Sequence, residues 1–450
     1  MSAVRFDIRN EGCAVAVAKH TGIVCMNVDR FSFAITYPKN YIPHIMWWIG
    51  RPFSDLDLQH DLKEFPFSVT EGPDGFPLIH THSHWETQSF TPIQAMGMVF
   101  SKAKKLAEND LKAAVVDCCI GIPVYFTDLQ RRVVMDAAAI AGLNPLRLMH
   151  ETTATALAYG LYKTDLCGNK QLNVAFVDIG RYSMQAYYKI DVFENASACI
   201  MLRAACEKLK EVLRSNPEAP LYVECLIDKK HVRGFIKRDE FKQISASILE
   251  RMMKPLEKAL LEAKLTLVEY DNLLIEVVGS DSWVIKILTE LFGKEPRCTM
   301  NSSECVSRGC ALQCAILSPN FKVREFQVEE IFPFPIALQC KDFTSMIQDY
   351  HYRGTDDLQS CIVFPRGTPI PNEKTQTFYK SGTFSLDVQY ADASELQAPA
   401  KISTFRILGE TGIDVSMPLM VKPLKGTRKK GTEKGLTDVE VYERLTLPKT

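Results

Sequence analysis

Along residues 1–318, short apolar runs rich in β-branched residues alternate with stretches whose apolar residues recur at helical spacing. That alternation predicts an α/β architecture. Residues 115–122, 172–179 and 273–278 read as strands, and each runs directly into, or ends beside, a glycine or proline. After Pro123 the pattern changes period: Thr127 and Gln130 make a capping box, an alanine-rich stretch follows, and Gly142 is placed to end the helix. Further helices are predicted over 151–160, with Gly160 as the stop, and over 196–213, 239–263 and 284–292.

Beyond residue 318 the helical period disappears. Prolines, turn residues and strict alternation such as Thr383-Phe384-Ser385-Leu386-Asp387-Val388 predict an antiparallel β unit with one face buried. The chain therefore divides into 1–167 and 168–318, a linker at 319–326, the β unit at 327–424, and a charged, glycine-punctuated tail at 425–450. The tail is too polar to offset the entropy of ordering.

A length of 450 residues exceeds what one hydrophobic core usually supports and fits two or three folding units. The net charge of −1 excludes a dedicated nucleic-acid binder, because phosphate neutralisation needs a basic surplus that only the tail carries. No uncharged apolar run is long enough to span a bilayer, and the N-terminus lacks a signal-peptide pattern. The expected address is the cytosol or nucleus, without a membrane partner. The 14 cysteines are scattered without metal-ligand spacing, many in apolar runs, and most read as small core hydrophobes in a reducing compartment.

Two strands echo one another. Val4-Arg5-Phe6-Asp7-Ile8 and Phe176-Val177-Asp178-Ile179-Gly180 each deliver an aspartate into a turn. A facing pair of such turns would clamp phosphate and Mg²⁺, although an aspartate ending a strand is more often a plain turn signal. His80, His82 and His84 alternate, so a strand would project them from one face, but no acidic or cysteine partner stands near them. The spacing of residues defines no Ser-His-Asp or Cys-His constellation.

The segment VVDCCIGIPVYFTDLQRRVVMDAAAIAGLNPLRLMHETTATALAYG, residues 115–160, resembles the connecting segment of the 70-kDa heat-shock protein family, closest to plant members of its 110-kDa branch. NSSECVSRGCALQCAILSPNFKVREFQVEEIFPFPI, residues 301–336, is similar to that branch's second connecting segment, interdomain linker and first β-domain strands. The resemblance implies an actin-like ATPase domain of two lobes, here incomplete, followed by a β-sandwich, with no helical lid after it. It implies ATP or ADP with Mg²⁺ as the ligand, 70-kDa chaperones and unfolded proteins as partners, and nucleotide exchange or client holding as the activity.

Carried over residue by residue, the resemblance describes an eroded site. Asp7 matches the aspartate of the first phosphate loop, yet Arg5 and Arg9 replace its flanking glycines, which let backbone approach phosphate closely. Asp178 and Gly180 match the second phosphate loop, where Arg181, Tyr182 and Gln185 replace glycines and an acid. Met46 and Trp47 stand where the family has a Lys-Arg pair whose lysine organises the attacking water. Losing such a group costs on the order of a hundredfold in rate, so little or no hydrolysis is expected. Gly279 and Ser280 match the adenosine loop, while Asp281 and Trp283 depart from it; Glu207 and Lys210 match the helix lining the adenine pocket. Pro123 matches the hinge proline and Glu151 an acid near the metal, a remnant of the catalytic set. Relative to the family, segments are also absent after about Val28 and after Ile190. The competing expectation is a nucleotide-free pseudo-chaperone or interaction protein; a working actin-fold ATPase or sugar kinase is disfavoured by the eroded loops.

Overall fold

In a computed structural model of the chain, residues 3–8, 12–19, 22–29, 42, 45–62, 67–83, 86–162, 173–178, 196–227, 230–265, 273–278, 282–301, 304–318, 321, 323, 328–341, 358–378, 384–407 and 415–421 are described. Three antiparallel strands, β1 (Ala3–Ile8), β2 (Gly12–Lys19) and β3 (Gly22–Asp29), open the fold. Two short helices, α1 (Ile45–Trp48) and α2 (Leu56–Leu62), precede an antiparallel sheet of β4 (Ser68–Glu71), β5 (Pro77–Ser83) and β6 (Glu86–Phe90). Helix α3 (Pro92–Leu111) then leads to β7 (Asp117–Ile122), α4 (Asp128–Ile140), β8 (Asn144–His150) and α5 (Glu151–Tyr162). Strand β7 runs parallel to β1 and β8 parallel to β7, which completes a five-stranded sheet in the order β3-β2-β1-β7-β8.

The period-2 rule explains how this sheet is covered. Val4, Phe6, Cys118, Ile120 and Ile122 point to one face and pack with Met96, Phe100 and Ala103 of α3 and Val133, Val134 and Ala137 of α4. Cys119 points the other way, among Ala154, Leu157 and Ala158 of α5 and Cys310 and Cys314 of α9 (Cys305–Leu317). Those cysteines are buried thiols packed as hydrophobes, as the sequence predicts.

A second α/β unit follows: β9 (Val174–Asp178), α6 (Ala196–Ser215), the hairpin β10 (Glu218–Ile227) and β11 (Lys230–Lys237), α7 (Arg238–Ala263), β12 (Leu274–Val278), α8 (Ser282–Phe292) and β13 (Arg297–Met300). Its parallel sheet has the order β13-β12-β9. Val278 and Met300 of this sheet share one core with Cys119 and Met149 of the first, with α5 and α9 between them. The two helices cross very closely, since a methyl group on Gly309 would stand 1.7 Å from the Ala154 carbonyl oxygen.

The predicted elements are present with shifted ends. Helix α4 carries both capping-box bonds, Thr127 N–H to Gln130 Oε1 at 3.0 Å and Gln130 N–H to Thr127 Oγ1 at 3.5 Å, and Gly142 follows it at φ +65°. Gly160 does not stop α5, which continues to Tyr162. Packing against α9 outweighs the weak helix propensity of a single glycine.

After residue 328 every described pairing is antiparallel: β14 (Glu330–Phe332), β15 (Ile336–Lys341), β16 (Leu358–Phe364), β17 (Thr368–Ile370), β18 (Asn372–Phe378), β19 (Phe384–Tyr390), β20 (Lys401–Ile407) and β21 (Val415–Val421). Residues of β19 alternate between core and outside, with Phe384, Leu386, Val388 and Tyr390 buried. Phe321 and Val323, in the predicted linker, pack on the core shared by the two α/β units. No helix among the described residues is long and apolar enough to cross a membrane.

Candidate functional site

Strand register brings the predicted site residues to two strand edges. Phe6 pairs with Ile120, so Asp7 lies beside the carboxyl end of β7; Ile122 pairs with His150, so Pro123 and Glu151 emerge side by side. Asp7, Pro123 and Glu151 thus gather at the carboxyl edge of three parallel strands, where open α/β sheets place their ligands. Glu151 is half-buried and begins α5.

In the second sheet Val278, the last residue of β12, pairs with Asp178. The echo between the two aspartate strands therefore has a spatial counterpart, one aspartate at the carboxyl edge of each sheet. Gly180, Gly279 and Ser280 themselves lie outside the described residues. Glu207 and Lys210 are three residues apart in α6 and so share a face of that helix, with Lys210 half-buried.

A small cleft of about 220 Å³ opens at the carboxyl end of β13, lined by Thr299, Met300, Asn301, Glu304, Cys305 and Arg308. Its Thr299 is held by Glu276 of β12, a carboxylate with 1% exposure whose Oε1 accepts from the Thr299 amide and hydroxyl at 2.5 and 2.8 Å. Arg308 is held by Glu304, Nε to Oε2 at 2.7 Å. Asn301, Glu304, Cys305 and Arg308 lie in the segment similar to the second connecting segment, but no local pattern marks them as site residues. Their signal is a strand ending at Met300 shortly before a helix, which marks a carboxyl-edge turn only when the strand is known to lie beside β12.

The position of the expected Lys-Arg pair is occupied by apolar chemistry. Met46, 4% exposed, joins the core of the first sheet, and Trp47 lies under the Arg51 guanidinium at 3.6 Å from its ring centre. Arg51 is directed to Asp55 at 3.1 Å. No ammonium stands at either position. His80 of β5 has both ring nitrogens engaged by hydroxyls, Thr70 Oγ1 at Nε2 and Ser89 Oγ at Nδ1, each at 2.8 Å. The His82 and His84 side chains lie outside the described residues.

Next to Glu151 the β unit docks through a buried polar cluster that the sequence reading did not foresee. Glu330 accepts from Arg147 Nη2 at 3.0 Å and from the His150 amide at 2.8 Å, Arg131 Nη2 donates to His150 Nε2 at 2.8 Å, and the Asp128 amide donates to the Tyr390 hydroxyl at 2.8 Å. Burial, reinforced by the Arg131 charge, lowers the His150 pKa to about 4. Burial pushes Glu330 upward, but the His150 ring, the Arg147 guanidinium and the two hydrogen bonds outweigh it, so its carboxyl titrates below the usual range.

Residues 30–186 and 181–416 match the family model of the Hsp70 protein. Heat shock 70 kDa protein 14 of Arabidopsis thaliana is 55% identical over 472 aligned positions, covering 90% of this chain and 56% of that protein. The 97 kDa heat shock protein of Strongylocentrotus purpuratus is 35% identical, covering 91% of this chain and 52% of that protein. Heat shock 70 kDa protein 4 of Homo sapiens is 33% identical, covering 89% and 54%. The two α/β units with aspartates at their strand edges belong to the actin-like ATPase class of fold, which the family match implies. The chain is a member of the 70-kDa heat-shock protein family, in its 110-kDa branch. It spans about half the length of these relatives. The 472 positions of the first alignment exceed the chain's 450 residues, so that relative carries internal segments without a counterpart here.

Proposed function

We propose that this protein is a chaperone of the 110-kDa heat-shock type that binds adenine nucleotide weakly and hydrolyses it little or not at all. It acts as a nucleotide-exchange factor for 70-kDa chaperones or as a holder of unfolded chains, in the cytosol or nucleus. In this reading, residues 1–167 and 168–318 are the two lobes around a nucleotide, 319–326 is the linker, and 327–424 is a substrate-binding β-sandwich. Asp7, Asp178 and Glu151 are hard oxygen donors of the kind Mg²⁺ takes, and each stands at a strand edge or a helix start. Gly180, Gly279 and Ser280 would meet phosphate and ribose, and Glu207 and Lys210 would border the base. Bound Mg²⁺ would neutralise phosphate charge.

One observation carries the proposal. The acids remain at the two strand edges, while Met46 is buried and Trp47 is stacked on Arg51 where a water-organising lysine would be needed. Such a site retains elements for holding a nucleotide and lacks a group for cleaving it. Calorimetric titration with Mg·ATP, paired with thermal unfolding, tests this. Weak binding with a raised melting temperature and no released phosphate is expected, because a ligand confined to the native state must stabilise it. Absence of both heat and shift would remove the nucleotide.

A second reading, a nucleotide-free pseudo-chaperone, is favoured by the arginines flanking Asp7 and by the internal segments that the Arabidopsis relative has in excess of this chain. Calorimetric titration with Mg·ATP separates the two, and release of labelled ADP from a 70-kDa partner tests the exchange role. Acceleration by the added protein supports the exchange role, and an unchanged rate defeats it.

A further inference from the structure

Among the described residues, the connection between β19 and β20 reaches both α/β units, while Glu330 of β14 reaches the first. At the start of that connection Tyr390 accepts the Asp128 amide at the N-terminus of α4, in the first unit. Farther along, Glu395 accepts from Lys258 of α7 at 2.5 Å and from Arg366 of its own β unit at 2.7 Å. Helix α7 belongs to the second unit, since Leu256 and Leu260 on either side of Lys258 pack on Val177, Leu273 and Ile275.

The connection is locally built. Asp392 Oδ1 accepts from the amide and hydroxyl of Ser394 at 2.9 and 2.6 Å, Leu396 packs into the β-unit core, and the Tyr390 and Ala391 amides bond to the Ala400 and Pro335 carbonyls. Glu395 is therefore presented by a fixed turn and steadied by Arg366.

The two attachments differ in kind. On the first unit, Glu330, Arg147, His150 and Arg131 form a cluster almost closed to solvent. Removing one partner there leaves a charge buried and uncompensated, which shifts an equilibrium by about a hundredfold or more. On the second unit the Lys258 and Glu395 side chains are 47% and 40% exposed. Such a pair shifts an equilibrium by about two- to fivefold and weakens with salt.

We propose that the β unit is anchored on the first α/β unit and only latched to the second, with Glu395 as the catch that frees α7 when its ion pair with Lys258 is screened or removed. The second unit then moves relative to the first while the β unit stays on its anchor. This device does not depend on whether the protein binds nucleotide.

The test uses the full chain carrying genetically encoded fluorophores, which leaves the native cysteines unlabelled. A pair at Glu262 and Ser385, both exposed, spans the latch; a pair at Asp136 and Ser385 spans the anchor. Raising NaCl from about 0.1 M to about 1 M shortens the Debye length from about 10 Å to about 3 Å. The low-transfer population of the latch pair is expected to grow about two- to fivefold in high salt. Lys258→Met and Glu395→Ala should produce that growth already at low salt, with the anchor pair steady throughout. A latch pair indifferent to salt and to both substitutions overturns the proposal, and so does a fall of both pairs together, which would mean that the whole β unit detaches.

Discussion

At the scale of single residues, Gly309 and His150 show how closely the first α/β unit is tied to its neighbours. Gly309 lets α9 lie against the backbone of α5, with no room for a methyl group beside the Ala154 carbonyl. Gly309→Ala must push the helices apart and is expected to lower stability by about 1–3 kcal/mol, the usual cost of overpacking, read as a lower urea midpoint. His150 gives a pH dependence with a defined sign. Its pKa falls from the ordinary 6.5 to about 4 in the folded protein, so the unfolded chain takes the proton first. Stability is intact above pH 6.5 and falls as pH drops toward 4, by about 1.4 kcal/mol per unit and about 3 kcal/mol in all. Glu330 acts in the same direction at still lower pH, since a carboxylate held below its usual range loses its contribution when it is protonated. Urea midpoints measured between pH 7 and pH 4.5 should decline for the native chain and flatten for His150→Asn.

At the scale of elements, α4 was the most legible from sequence because its start and stop are encoded locally. Thr127 and Gln130 satisfy each other's backbone amides, and Gly142 takes the positive φ that the exit demands. The box has a second duty that periodicity does not reveal: Gln130 is fully buried and its Nε2 donates to the Ile49 carbonyl at 3.2 Å, while Gly50 approaches Gln130 at φ +70°. Thr127→Ala is therefore expected to cost about 1 kcal/mol as a lost cap. Gln130→Ala should cost more than Thr127→Ala, because it also leaves a cavity and an unpaired carbonyl. Thermal unfolding of the two variants checks the order. Gly160 does not end α5 because the fate of that helix depends on α9, more than a hundred residues away in sequence, rather than on its neighbours.

At the scale of the whole molecule, the parallel registers of β1, β7 and β8 and of β9 and β12 decide which residues can share a ligand. Met46 belongs to this scale as well. Being buried in the core of the first sheet, it cannot be exchanged for lysine without desolvating a charge. Met46→Lys is expected to lower the melting temperature by several degrees without bringing phosphate release above background, as an enzyme-coupled phosphate assay would show. Gain of hydrolysis at unchanged stability would contradict the placement of this side chain.

The alternation of strand and helix, the switch to an antiparallel unit after residue 318, the capping of α4 and the burial of Cys118, Cys119, Cys305, Cys310 and Cys314, though not of the exposed Cys298, are written in local patterns, because each depends on the period of apolar positions and on a few turn residues. The family match was legible for the same reason, through long stretches that keep residue and spacing together. Only the tertiary structure set Asp7 beside Pro123 and Glu151, brought Glu330 onto His150 and Arg147, and laid Glu395 against Lys258. Those neighbours are separated in sequence by up to 183 residues. Sheet register and helix crossing, which are properties of packed surfaces and not of any one segment, determine whether such groups meet.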